Sequence, residues 1–310
     1  MNWKYKAALQ LAVSHLPFGE RLNHLLQRHL TKSLPTSDGH CRTIVTLAKG
    51  HLDLHTKYLE RPLGAAVYYE FGAGWDLTGP MAFWCCGVNH QVLVDIRKLI
   101  RIDLLNDTID KLRRLSAPLS LARAPNAVVN ARRPSDALPL LKSVYGIDYR
   151  APCDAAGTGL PEGSIDCITS TNTLEHIPPR QIQAILRECG RLLRPGGVMS
   201  FRIDYQDHYS YFDGAISPFN FLRFSDRTWA LFNPALGYQN RLRHRDYLEL
   251  FQAAGFELLE EQRADGTPAD VAMLGRLHLD RRFSGYAPAE LAVHDAFVVL
   301  RKRRHNNVSW

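Results

Sequence analysis

The sequence predicts an α/β fold, a mostly parallel sheet covered by helices on both faces and preceded by a helical extension. Two observations predict it. From residue 65 onward, short apolar runs alternate with segments of helical periodicity, and such alternation implies parallel strands joined by right-handed crossovers. The first apolar run ends in a glycine-containing turn, Glu70-Phe71-Gly72-Ala73-Gly74, of the kind that leads from a strand into a helix where such sheets bind nucleotides.

The elements follow in order. Residues 3–32 carry leucines at amphipathic spacing, broken at Pro17 and Gly19, and residues 43–60 form another helix. Residues 1–62 therefore read as a helical cap, packed over an active site or lying on a membrane surface. The strands expected next are Ala65–Tyr69, Gln91–Val94, Val144–Tyr149, Ile165–Ser170, Val198–Ile203, Gly255–Leu259 and Asp295–Arg301. Helices are expected at Leu77–Cys86, Asp103–Leu115, Pro134–Leu141, Pro179–Leu193 and Arg245–Ala254, with 263–290 irregular. Residues 63–204 and 245–302 form the core, the aromatic stretch 205–244 is a substrate-side insertion, and 303–310 is a tail.

Composition excludes little. The 310 residues are 45% hydrophobic and 22% charged, with 38 basic against 31 acidic side chains, an ordinary globular balance with a moderate positive excess. The cysteines, Cys41, Cys85, Cys86, Cys153, Cys167 and Cys189, form no C-x-x-C pair; no metal site is expected, and a reducing, cytoplasmic setting is the simpler reading. No apolar stretch approaches the roughly 18 residues that span a membrane. The N-terminal segment, interrupted by Gln10, Ser14 and His15, reads as a helix rather than a signal peptide.

The glycine turn carries the chemistry. Gly72 and Gly74 let the backbone bend sharply and leave room for a ligand against it, while the following helix offers free N–H groups. The third glycine of G-x-G-x-x-G is missing, since Leu77 stands there, and an acid, Glu70, precedes the turn. An acid there suits a cationic amino group better than a pyrophosphate. Asp95 ends the next strand, where a carboxylate accepts both ribose hydroxyls of a nucleoside. Asp154, followed by Ala155, is placed to meet an adenine amino group, with Asp148 as the competing acid. Thr171 and Asn172, after the fourth strand, and Trp75 with Asp76, after the turn, are further candidates to line the ligand.

These residues resemble the class I S-adenosylmethionine-dependent methyltransferases. Glu70 to Gly74 resembles their E/D-x-G-x-G motif, and Val94-Asp95 their ribose-binding strand end. Asp154-Ala155 with Leu160 to Asp166 resembles the D-A…L-P-f-x-x-x-S-f-D run. Thr171 to Ile177 resembles the segment ending in E-H-i, Leu192 to Gly197 the L-k-P-G-G turn, and Ala253 to Phe256 the A-G-F entry to the sixth strand. The likeness covers roughly residues 65–203 and 245–302. It implies a Rossmann-like, seven-stranded sheet with an antiparallel last strand, S-adenosyl-L-methionine as cofactor, and cofactor contacts from Glu70, Gly72, Gly74, Trp75, Asp95, Asp154, Ala155, Thr171 and Asn172. Glu175 and His176 belong to the recurrent segment and also fit a simple helix start.

The substrate side is expected in 204–243. His208 is the first candidate general base, with Asp207 orienting or replacing it. Tyr205, Tyr209, Asn240, Arg241 and Arg243 are candidate acceptor contacts, the arginines because guanidinium matches anionic groups in a bidentate way. The aromatic run Ser217–Phe224 with Trp229 is a pocket wall or lid packing. The leading function is methyl transfer to an oxygen or nitrogen of a small molecule or glycan; the whole chain resembles bacterial methyltransferases of polysaccharide and secondary-metabolite pathways. The competing readings are an RNA methyltransferase, disfavoured by the lack of an RNA-binding module or basic stripe, a non-enzymatic adenosylmethionine-binding protein, and a nicotinamide oxidoreductase, disfavoured by the missing glycine.

Overall fold

The structure, a computed structural model, describes residues 2–14, 28, 34–131 and 133–303. Much of the N-terminal helix expected over 3–32 and most of the tail lie outside these residues. The described helices of the extension are α1 (Trp3–Ser14) and α2 (Asp38–Tyr58). α2 starts five residues before the expected 43 because the Ser37 side chain caps it, accepting a hydrogen bond from the His40 amide.

The core runs β1 (Val67–Phe71), α3 (Thr78–Cys85), β2 (His90–Val94), α4 (Ile102–Leu115), α5 (Pro134–Tyr145), β3 (Ile147–Arg150), β4 (Ile165–Thr171), α6 (Pro179–Leu192) and β5 (Leu193–Asp204). It continues through α7 (Asp226–Ala230), α8 (His244–Ala253), β6 (Phe256–Ala264), α9 (Pro268–Leu274), α10 (Pro288–Leu291) and β7 (Asp295–Lys302). The seven strands form one sheet in the order β3-β2-β1-β4-β5-β7-β6. The first five pair in parallel, and β7 runs antiparallel between β5 and β6. The order reverses between β1 and β4, which is where such a sheet opens a ligand crevice.

Each face is covered by its own apolar layer. α6 shows why: Ile182, Ile185, Leu186, Cys189 and Leu192 fall on one helical stripe, and all are buried against the sheet. The opposite face is packed by α2, α3, α4 and α5 through residues such as Val45, Leu52, Met81, Phe83, Leu105, Ile109 and Leu141. The described cysteines are all free, four of them buried within these layers.

Three departures from the expected elements have local causes. β5 begins at Leu193 because Leu193 pairs with Ile165 ahead of a register shift, so Pro195-Gly196-Gly197 sits inside an irregular strand. β6 runs on to Ala264 although Glu257, Glu260, Glu261 and Arg263 interrupt its apolar pattern. It is an edge strand, where charge guards against unwanted pairing. The stretch expected to be irregular contains α9, opened by a capping box between Thr267 and Asp270.

A third, smaller apolar cluster joins α1, residues 209–229 and the later residues Leu274, Phe283 and Leu291. Trp3 of α1 lies 5.5 Å from the Tyr209 ring and 4.9 Å from that of Phe232. Phe219, Phe221, Leu222 and Trp229 are buried with it. The aromatic rings of the run pack into this cluster with α1, while Ser217, Pro218, Asn220 and Arg223 line a second cavity of about 470 Å³.

Candidate functional site

The carboxyl ends of β1, β4 and β5 open into a cavity of about 460 Å³. Its floor is the turn after β1, with Glu70, Gly72 and Ala73. One wall is the first half of α2, with His40, Thr43, Ile44 and Leu47. The other is Thr171 and Asn172 after β4, with Arg202, Asp204 and Tyr211 from β5 and the loop beyond it.

The floor is built for a close approach. Gly72 has φ of +84°, and a Cβ there would stand 2.5 Å from Thr173 Cγ2. Its amide donates to the Val94 carbonyl at 3.1 Å, tying the turn to the end of β2. Gly74 has φ of +74° and open space where a side chain would be. Glu70 is buried, and its Oε2 has no hydrogen-bond partner among the described residues. Burial pushes its carboxyl up to about 8. A buried acid with an unsatisfied oxygen, aimed into a cavity floored by glycines, is a receptor for a cationic group. These residues fit the amino-acid end of adenosylmethionine.

Gly74, Trp75, Asp95, Asp154 and Ala155 do not line this cavity and lie on the turn after β1 and on the loops after β2 and β3. Asp95 follows β2 and is nearly buried. Its amide donates to Arg150 at 3.2 Å, and its carbonyl accepts from Cys153 at 2.8 Å, so the loops after β2 and β3 are locked together. Asp154 follows directly, exposed, with Oδ1 accepting from the Ala156 amide; Ala155 is half-buried beside it. The competing acid, Asp148, lies within β3 and pairs with Arg150 and Lys142. Its charge is therefore already matched inside the strand. Trp75 stands on the turn, its carbonyl accepting from the Arg101 amide. Asp76 lines the cavity and caps α3, accepting from the Thr78 amide.

Thr171 and Asn172 do reach the cavity. The Thr171 hydroxyl is 3.0 Å from His51 Nε2 of α2. His51 Nδ1 is 2.5 Å from Ser200 Oγ, which is 2.8 Å from His55 Nε2. Both imidazoles are fully buried, and burial lowers both pKa values, that of His55 to about 3. This neutral chain clamps the α2 wall to β4 and β5. Asn172 has a left-handed backbone (φ 51°) and accepts a hydrogen bond from Arg202, which also pairs with Asp295 at 3.0 Å.

The expected acceptor residues are arranged differently. Asp207 does not face His208. It is buried, caps the following turn by accepting from the Tyr209 amide, and accepts from Asn220 Nδ2 at 3.1 Å. The acid facing His208 is Asp204, 3.5 Å from its Nε2. Burial alone would raise the Asp204 carboxyl, but His208, the Tyr211 hydroxyl and the Gln206 amide hold it below its ordinary value. Tyr205 shares a hydrogen bond with His244, and Tyr209 donates to the Phe232 carbonyl; both are buried.

Asn240, Arg241 and Arg243 are also scaffold. Asn240 donates to the carbonyls of Leu174 and Ile177. Arg241 bonds the carbonyls of Phe221 and Phe224 and pairs with Asp226. Arg243, wholly buried, bonds the carbonyls of Tyr205, Leu291 and Val293. Burial lowers its pKa to about 10, still leaving the cation in place at neutral pH. Arg243→Met should therefore lower Tm, at a cost of about 3 kcal/mol or more for the carbonyls it orphans. Thermal denaturation checks this; an unchanged Tm would contradict the scaffold role.

Pattern reading did not single out Arg202, Tyr211 or the α2 residues, and within the segment it expected to face the site it chose His208 and Asp207 over Asp204. Asp204 ends β5, which is the available signal, because strand ends face the crevice. No local pattern marks His40 or Thr43.

Comparisons with known proteins bear on the family of the chain. A family model described as a methyltransferase domain matches residues 93–261, more than half of the chain. A ubiquinone biosynthesis O-methyltransferase of Xanthomonas oryzae pv. oryzae is 35% identical over 91 residues, 29% of this chain and 35% of that protein. The match thus spans about a third of the curated relatives' length. Among solved structures, the Burkholderia thailandensis 1,6-didemethyltoxoflavin-N1-methyltransferase with bound S-adenosylhomocysteine is 15% identical, with TM-score 0.47 over 97% of this chain and 91% of that one. A geranyl diphosphate methyltransferase in complex with S-adenosylmethionine is 12% identical, with TM-score 0.44 over 87% and 93%. With a methyltransferase-domain match covering more than half its length, the chain belongs to the class I S-adenosylmethionine-dependent methyltransferase family.

Proposed function

We propose that this protein transfers a methyl group from S-adenosyl-L-methionine to an oxygen or nitrogen of a small molecule or glycan. The observation that carries the reading is the walled cleft. Glu70 and the glycine turn lie at one end, Asp204 and Tyr211 line the other, and α2 closes the side. Its volume suits a small ligand. Among the described residues, no helix is long and apolar enough to cross a membrane.

The cofactor, when bound, supplies an electrophilic methyl on a sulfonium. In this reading Glu70 holds its amino group, Gly72 and Gly74 give its backbone-hugging portion room, Asp95 holds the ribose, and Asp154 with Ala155 borders the adenine. Trp75, Thr171 and Asn172 border the remainder. What the chain does for the transfer is mainly alignment. Asp204 stays ionised at neutral pH and accepts a hydrogen bond from the acceptor's O–H or N–H. The Tyr211 hydroxyl, which donates to Asp204, fixes that carboxylate. His208 stacks on Tyr211 at 5.4 Å between centroids and acts through Asp204 as a positioning residue.

Tyr211→Phe should raise the acceptor KM roughly 5–10-fold, the worth of one lost hydrogen bond, while S-adenosylhomocysteine affinity stays unchanged. The reaction itself is tested by incubating the protein with methyl-labelled adenosylmethionine and panels of phenols, sugars, amines and RNA. Label entering a small acceptor supports the proposal. Label entering RNA alone, or none at all despite cofactor binding, overturns it.

A further inference from the structure

We infer that Glu175, His176 and His208 form a binding site for a divalent transition-metal ion, next to Asp204 of the cleft. One donor atom from each lies within 4.8 Å of the others. Glu175 and His176 belong to the turn after β4, and His208 follows β5, so the site bridges two adjacent strand ends.

Glu175 is the second, independent observation. It is 1% exposed, and neither carboxylate oxygen has a hydrogen-bond partner among the described residues. Buried carboxylates are normally paired or bound to a cation. The neighbouring cation, Arg202, is engaged by Asp295 and Asn172 instead.

The two imidazoles are prepared to coordinate. His176 Nδ1 is 2.7 Å from the Tyr238 carbonyl. A carbonyl only accepts, so Nδ1 carries the proton and Nε2 presents a lone pair. That is the arrangement of metal-binding histidines, whose outer nitrogen is held by a backbone carbonyl or a carboxylate. His208 Nε2 is buried and makes no hydrogen bond beyond its 3.5 Å approach to the Asp204 carboxylate, and the two rings stand 4.9 Å apart. Asp204 Oδ2, 3.5 Å from His208 Nε2, is the adjacent oxygen that would complete the set.

Two imidazole nitrogens with one carboxylate suit zinc, cobalt, nickel or ferrous iron better than calcium or magnesium, which favour all-oxygen shells. The ion would neutralise Glu175 and pin the loop after β5 to the loop after β4. In that way it would fix Asp204 and Tyr211, which line the cleft.

The test is metal binding itself, so its failure would leave the methyl-transfer reading standing. Chelator-treated full-length protein is titrated with Co²⁺ and followed by visible ligand-field absorption. We expect a saturable band at one equivalent, displaced by Zn²⁺. Glu175→Gln and His208→Ala should each weaken Co²⁺ binding at least tenfold, whereas His90→Ala, on the exposed start of β2, should not. Should the glutamine variant fail to fold by circular dichroism, the His208 variant decides. No saturable band in the wild type, or equal affinity in the folded variants, overturns the site.

Discussion

Replacing Glu70 with glutamine should weaken S-adenosylhomocysteine binding roughly 10–100-fold, the cost of removing a charge-assisted contact, while making the ligand-free protein more stable at pH 8. Both effects follow from one buried carboxyl. Burial raises Glu70 from 4.5 to about 8. The folded protein therefore keeps a proton that the unfolded chain releases near 4.5. Stability contributed by this proton is complete below pH 4.5, declines across the window from 4.5 to about 8, and is lost above it. The slope is at most about 1.4 kcal/mol per pH unit for one proton. Glutamine removes that slope. A ligand ammonium reverses the preference, because it favours the carboxylate, so cofactor binding at pH 7 should release a proton. Calorimetry in buffers of different ionisation enthalpy reads this directly. The apparent enthalpy should vary with buffer for the wild type and not for Glu70→Gln; buffer-independent heats in both would show that Glu70 does not meet the ammonium.

Gly72→Ala should be the most damaging single methyl in the site. The added carbon would stand 2.5 Å from Thr173 Cγ2 and 2.6 Å from its Oγ1, on a backbone with φ of +84°. The left-handed conformation alone costs about 1–2 kcal/mol. The overlap adds a comparable amount unless the turn after β4 shifts. A total loss of roughly 2–4 kcal/mol is expected in denaturant melts, with cofactor binding abolished. Thr173→Ala in the same chain should recover most of the steric part, its Cβ remaining at 3.1 Å, and leave the backbone part. A variant as stable as wild type would mean that the turn relaxes freely, and the floor of the cleft would not be rigid.

The sequence discloses the fold wherever burial is two-sided. β1, β2 and β4 are short apolar runs flanked by turn residues, and their positions hold within two residues. The helical stripe of α6 is equally plain. The edge strand β6 is legible only at its start, because solvent on one side lets charged residues enter it. The cofactor end of the site is legible for a related reason. Gly72, Gly74 and Glu70 are a contiguous signature in which backbone geometry dictates residue type. The acceptor end has no such signature. Arg241 and Arg243 look like anion receptors in one dimension, yet their guanidiniums face carbonyls of the chain's own loops. Asp207 looks like a partner for its neighbour His208, but the turn at 208–211 directs the two side chains apart. Which group a buried polar side chain meets depends on elements far away in sequence, and neither spacing nor composition records that.

The histidine chain in α2 bears on how such a molecule could change over time. His51 and His55 are neutral because β4 and β5 surround them, and Ser200 and Thr171 find partners because the helix is there. A core shortened to residues 63–302 would set two imidazoles' worth of bonding against nothing on the sheet, and it would take away one side of the cavity. The segment is thus physically part of the site, because it supplies both the bonding partners of β4 and β5 and one wall of the cavity. Substitutions at His51 and Ser200 would be tolerated together more readily than singly, so a lineage with an apolar residue at one of them should carry a compensating change at the other.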